Sequence, residues 1–202
     1  MVVTVAEEGN QRKGGMTEAE SEQCVNDVLA WFKRSADLEI EAAEEEEVQP
    51  IEKAAGSSLD TTLSYLLTTC SAGIWFGDKM GMTASNIVDT CAVEDFSGGI
   101  PFAACVDDEF YLVVHESKYP QPTNIKPFAS TNFPLHSIPP LASTGGEVRE
   151  WTQDDGYGET FADSFKDYLE EYRNALLGGK YEFVEDCGCM EKAGGSGGGC
   201  RK

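Results

Sequence analysis

Ile100-Pro101-Phe102-Ala103-Ala104-Cys105-Val106, then Asp107-Asp108-Glu109, then Phe110-Tyr111-Leu112-Val113-Val114-His115: this stretch decides the fold. Two nearly continuous apolar runs flank three adjacent acids, and a short polar interruption of that kind marks an antiparallel hairpin. Neither run alternates apolar with polar. Both strands are therefore expected at a sheet centre covered on its two faces rather than at a half-wet edge.

Working outward, Ile74-Trp75-Phe76 reads as a compact strand closed by Gly77-Asp78, and Glu147-Val148-Arg149-Glu150-Trp151 as a half-exposed one before a turn at Asp154-Asp155-Gly156-Tyr157-Gly158. Helices bracket these strands. Ser58 is a candidate N-cap for a core helix in which Leu59, Leu63, Leu66 and Leu67 share a face. Residues 162–177 form an amphipathic helix with Phe161, Phe165, Tyr168, Leu169, Tyr172 and Leu176 on one side and Gly178-Gly179 as its stop. Near the start, Thr17 and Glu20 have the spacing of a capping box, in which each side chain satisfies an unpaired amide of the first turn. Behind them Val25, Val28 and Phe32 fall on one stripe. That stripe either packs on this protein's own core or docks a partner, and the sequence leaves both readings open. Five glutamates in Glu41–Glu47 look like a solvated helix end, broken at Gln49-Pro50. From Tyr119 to Pro140 six prolines in 22 residues exclude helix and central strand and leave a long loop.

The expected organisation is a disordered 1–16, an acidic amphipathic helix over 17–48, a globular domain over 49–178, and an edge segment with a Gly-rich tail over 179–202. The class is α+β, a curved antiparallel sheet flanked by helices with an additional N-terminal amphipathic helix.

The 202 residues carry Lys+Arg 15 against Asp+Glu 36, a net charge of −21. Such a surface repels phosphate backbones and anionic headgroups, so nucleic acid is not an expected partner and a protein with a basic surface is. No apolar run approaches the ~20 residues that span a bilayer, so no membrane insertion is expected. The first residues lack the marks of a signal or transit peptide. Of seven cysteines, four (Cys24, Cys70, Cys91, Cys105) stand singly among apolar neighbours, which favours buried thiols over a disulfide framework. Cys187-Gly188-Cys189 lacks the spacer of zinc knuckles and redox motifs and reads as plain tail cysteines. The expected location is intracellular and cytoplasmic.

The order of elements is similar to that of the SUKH superfamily, which contains yeast cell-wall-synthesis regulators and bacterial immunity proteins. The residues that carry the resemblance are Ile51-Glu52-Lys53-Ala54-Ala55 before Gly56, Leu59 with Leu63 and Leu66, Gly73-Ile74-Trp75, Ile100-Pro101-Phe102-Ala103, Val148 with Trp151 and, above all, Ser164-Phe165-Lys166-Asp167-Tyr168-Leu169. The resemblance spans roughly 49–178. It implies a domain that binds proteins without chemistry of its own: an adaptor or accessory subunit of a larger complex, or alternatively an immunity-type inhibitor covering a basic nuclease.

Chemistry is sparse in the sequence. The only histidines are His115 and His136, too far apart to form a metal pair, and no phosphate-binding glycine loop is present. Adjacent acids such as Asp107 and Asp108 or Asp154 and Asp155 face water more readily than a substrate. A distant alternative is a small cysteine hydrolase, with Cys105 and His115 meeting across the hairpin. No cofactor, metal or catalytic residue is expected. The candidate partner-binding residues are Asp107, Asp108 and Glu109 at the hairpin tip, the aromatic anchors Trp75, Trp151 and Tyr157, and the stripe of Val25, Val28 and Phe32.

Overall fold

The computed structural model describes residues 17–38, 40, 42–71, 73–105, 110–115, 146–185 and 188–194. The Asp107–Glu109 turn, the proline-rich stretch, His136, Cys187, Cys200 and both chain ends lie outside them. In chain order the elements are α1 (Glu18–Ser35), α2 (Glu45–Ala55), α3 (Thr61–Thr69), β1 (Trp75–Phe76), β2 (Lys79–Gly81), α4 (Ala84–Val93), β3 (Gly99–Ala104), β4 (Phe110–His115), β5 (Glu147–Thr152), β6 (Gly156–Ala162), α5 (Phe165–Leu177), β7 (Tyr181–Val184) and β8 (Cys189–Lys192). The fold is α+β. Strands β1 to β6 run as a curled antiparallel meander in sequence order, and β7 pairs with β8 in a separate two-stranded sheet. The residues after Lys180 therefore do not extend the main sheet's edge.

The apolar hairpin is β3 and β4, in register from Gly99 opposite His115 to Ala104 opposite Tyr111 with one irregularity near Pro101. All six residues of β3 and four of β4 are buried, as continuous apolar runs require. One layer of the core is aromatic: Phe102 meets Phe76 edge-on at 5.2 Å and Phe165 at 5.0 Å, which locks α5 onto the sheet. Gly99 cannot carry a side chain, because a Cβ there would run into Tyr157 Oη and Val113 Cγ1.

Helix α1 starts at the expected capping box, with the Glu20 amide donating to Thr17 Oγ1 at 3.3 Å and the Thr17 amide to Glu20 Oε2 at 2.7 Å. Those bonds from Thr17 hold the Glu20 carboxyl below its ordinary value. The stripe question is settled against docking. Val25, Val28 and Phe32 are all 0% exposed, inside the same core cluster as Phe102 and Phe165. Helix α1 packs on α3 and α5, with Arg173 Nη1 3.7 Å from Asp27 Oδ2. The expected boundary at residue 49 thus cuts through the core.

Several other expectations shift for identifiable reasons. Pro50 sits within α2 instead of breaking it. An interior proline costs about 3 kcal/mol, but the helix that contains it buries Val48 and Ile51, each worth about 1.5–3 kcal/mol. Helix α3 is capped by Asp60 rather than Ser58, because its Oδ1 accepts from two amides, Thr62 at 2.8 Å and Leu63 at 3.1 Å. The turn at Gly77-Asp78 leads straight into β2, and the residues after Gly156 form β6, which leaves Phe161 exposed on a strand rather than on the helix face. Helix α4, capped by Thr83 and packed on α2, was not anticipated.

Candidate functional site

Helices α1, α2 and α3 do not close on one another completely. Between them lies a cleft of about 440 Å³, within the range of ligand sites. From α1 it receives Glu18, Ser21 and Glu22, from α2 Val48, Gln49 and Glu52, and from the start and outer side of α3 Leu59, Thr61, Thr62, Ser64, Tyr65 and Thr68. No lysine, arginine or histidine is among these. Among the described residues, none of the three glutamates is in an ion pair.

That arrangement has an energetic cost. Glu18 and Glu22 stand four apart on α1, a like-charge spacing that destabilises a helix by about 0.2–0.5 kcal/mol. Glu52 is held in place by the Leu59 amide, which donates to its Oε1 at 2.9 Å. Three of the six hydroxyls are bonded locally: Ser21 Oγ donates to Thr17 O at 3.0 Å, Thr68 Oγ1 to Ser64 O at 3.0 Å, and Tyr65 Oη accepts from Asn26 Nδ2 at 3.3 Å. Thr62 differs. Its residue is only 3% exposed and its Oγ1 has no hydrogen-bond partner. An open cleft with exposed carboxylates and apolar edges at Val48 and Leu59 favours a positively charged group over a negative one.

The sequence reading did not find this site. Its signals were the Glu18/Glu22 spacing and the unusual α3, where four threonines and a serine fall among nine residues. Hydroxyls at that density are poor helix formers and poor core, so their presence needed a use.

The residues that the sequence singled out are not gathered in the cleft. Val25, Val28 and Phe32 are buried in the core, and Trp151, 6% exposed, is wedged against Phe96 at 4.5 Å and Tyr111 at 5.8 Å, so none of these four can anchor a partner. Trp75 is half-buried on β1, where its carbonyl accepts from Tyr172 Oη. Tyr157 is half-buried too; its hydroxyl donates to Phe96 O, and its ring lies under Arg149 at 5.3 Å and beside His115 at 4.7 Å. Asp107, Asp108 and Glu109 lie outside the described residues.

The register also removes the proposed Cys–His pair. The Cys105 amide donates to Phe110 O at one end of the hairpin, while His115 faces Gly99 at the other, five residues and about 17 Å along the strand. Burial pushes the thiols of Cys24 and Cys91 up to about 11, so neither is a nucleophile near neutrality. Cys189 is disulfide-bonded, which corrects its reading as a plain tail cysteine. The expectation of unpaired thiols came from cysteines isolated among apolar neighbours and did not bear on the C-terminal hairpin.

Lys79 is buried beside Asp78 at 3.2 Å and Glu150 at 3.7 Å. Burial works against its charge, but Asp78, Cys105 and Glu150 together outweigh that and raise its ammonium above the ordinary value. Among the described residues no group of His, Cys, Asp and Glu is placed to hold a metal ion, and no helix is long and apolar enough to cross a membrane. No protein-family model matches the chain, and no curated protein matches it.

Proposed function

We propose that this protein is a non-enzymatic protein-binding module, an adaptor or accessory subunit of a larger intracellular complex, whose partner presents a basic surface. The observation that carries this reading is the acidic cleft: three carboxylates from two helices with no cation among the described residues that line it, on a chain of net charge −21. Opposite fields of that kind speed encounter and suppress wrong partners more than they tighten the final complex. The SUKH-like order of elements supports the same reading, since that resemblance implies binding without catalysis.

The test is kinetic. With a partner recovered from native extract and purified, raising salt from about 0.05 M to about 0.3 M is expected to slow association roughly tenfold and to change dissociation less than about threefold. An affinity indifferent to salt would remove the electrostatic part of the reading. A turnover activity of the purified protein would remove the rest.

A further inference from the structure

We propose that the disulfide of Cys189 is a reversible clasp that keeps the β7–β8 hairpin seated against β1 and α5, and that its reduction by glutathione releases the hairpin. This rests on the intracellular setting proposed above, and not on any particular partner.

Cys24, Cys70, Cys91 and Cys105 are not disulfide-bonded, whereas Cys189 is, so its partner within the chain is Cys187 or Cys200. A disulfide that stands beside thiols in an intracellular protein is characteristically a transient, redox-sensing one. Its place is where a clasp acts. Cys189 opens β8 opposite Val184, at the tip of the hairpin, next to the turn residue Gly188, whose amide donates to Val184 O at 2.9 Å. At the base the Ala193 amide donates to Lys180 O at 2.9 Å.

The hairpin has little else to hold it. Its two four-residue strands form a sheet of their own, and among the described residues no strand of the main sheet pairs with them. A two-stranded hairpin of that size is at best marginal alone. It is seated by Met190, which enters the core cluster at 5% exposure, and by Tyr181, whose ring meets Tyr172 at 5.8 Å and whose hydroxyl lies close to Gly77. Loss of the covalent tie therefore falls on the part of the fold with the fewest contacts to replace it. Release takes two glutathione thiols. The first thiolate attacks one sulfur of the bridge, giving a mixed disulfide and a cysteine thiolate. The second attacks the glutathione sulfur of that mixed disulfide, and two cysteine thiols and glutathione disulfide result, two electrons and two protons having passed to the protein.

The experiment uses the full chain, purified without reductant and equilibrated in glutathione buffers that run from mostly disulfide to mostly thiol. Acid quenching, alkylation and mass spectrometry identify the bridge, and amide exchange reads the hairpin. The bridge is expected to open where glutathione is mostly reduced. Amides of residues 181–184, 189–192 and 75–77 should then exchange at least about tenfold faster, and those of β3 and β4 less than about twofold faster. Whichever of Cys187→Ser and Cys200→Ser removes the bridge should give the fast exchange even in oxidising buffer, with the Cys189 side chain intact, and the other should behave as the parent.

A bridge that survives mostly reduced glutathione is a structural disulfide, and equal exchange in the two states means that it does not hold the hairpin; either result overturns the proposal. So does a bridge that joins two copies of the chain, seen as a dimer on a non-reducing gel, or one that never forms in oxidising buffer. Exchange that rises equally in β3 and β4 would make the disulfide a global stabiliser and not a local clasp. None of these readouts involves a partner, so the protein-binding reading stands or falls separately, with salt dependence and turnover.

Discussion

Between Phe96, Tyr111 and Trp151 the protein fills a junction with rings, and between α1, α2 and α3 it leaves one open. In the first, Phe96 lies 4.5 Å from Trp151 and 5.5 Å from Tyr111, and the Phe96 carbonyl is matched by the Tyr157 hydroxyl. In the second, three carboxylates have no ion-pair partner among the described residues and Thr62 Oγ1 is unmatched, although Val25, Val28 and Phe32 further along α1 are fully buried. Close packing and matched polar atoms are what stability selects. An open acidic cleft on helices whose other faces are well packed is therefore not loose folding. It is a local departure, and the two regions should respond differently to perturbation.

The largest effect is expected where the packed face of α1 is broken. Phe32→Ala should lower the unfolding free energy by about 3–5 kcal/mol, since the ring is wholly buried and its removal leaves a cavity in the core. A detachable docking helix would lose less than about 1 kcal/mol at an exposed position. By the same reasoning, a fragment of residues 49–178, lacking α1, should melt broadly rather than in one cooperative transition, as calorimetry would show. A sharp melt of that fragment would return α1 to the role of an appendage.

Alkaline pH should discriminate next. Burial raises the thiols of Cys24 and Cys91 from 9.0 to about 11, and it pushes the phenols of Tyr157, Tyr168 and Tyr172 well above 10.0. Groups whose folded values are raised contribute stability that is complete below the unfolded value and is lost as pH climbs through the folded one. Denaturation midpoints should thus hold steady up to about pH 9, fall as the thiols begin to ionise in the unfolded chain, and fall faster above pH 10. Phenol absorbance should show at least three of the seven tyrosines staying protonated until the chain unfolds. Early titration of all seven would mean the ring-filled side is open to water.

The contrast also explains what the sequence disclosed. Hydrophobic order is written in the residues themselves, so the β3–β4 hairpin, the capping box at Thr17 and the face of α5 with Phe165 and Leu169 were legible. Elements held by tertiary context were not. Pro50 argued for a break that burial of Val48 and Ile51 overrides, and β2 and β6 are strands chiefly because a neighbour's ladder accepts them. Conversely, Trp151 and Tyr157 looked like anchors because side-chain type does not record which face of a strand is covered. The cleft escaped altogether. It is a gap between three helices, and only their packing brings Glu22 and Glu52, 30 residues apart in the chain, to the walls of one cleft.

The smallest effect is the sharpest comparison, a pair of hydroxyl deletions expected to differ in sign. Tyr157→Phe strips one of the two donors to the Phe96 carbonyl, leaving only the Gly99 amide at 2.8 Å, which should cost about 0.5–1.5 kcal/mol. Thr62→Val replaces an unmatched hydroxyl by a methyl of nearly the same shape, at a helix position where the two residues have similar propensity. Stability should stay level or rise by up to about 1 kcal/mol, because the folded protein no longer buries a polar atom without a partner. A hydroxyl satisfied within the fold would instead lose stability on deletion, as Tyr157 does, and the distinction between the filled junction and the open one would fall.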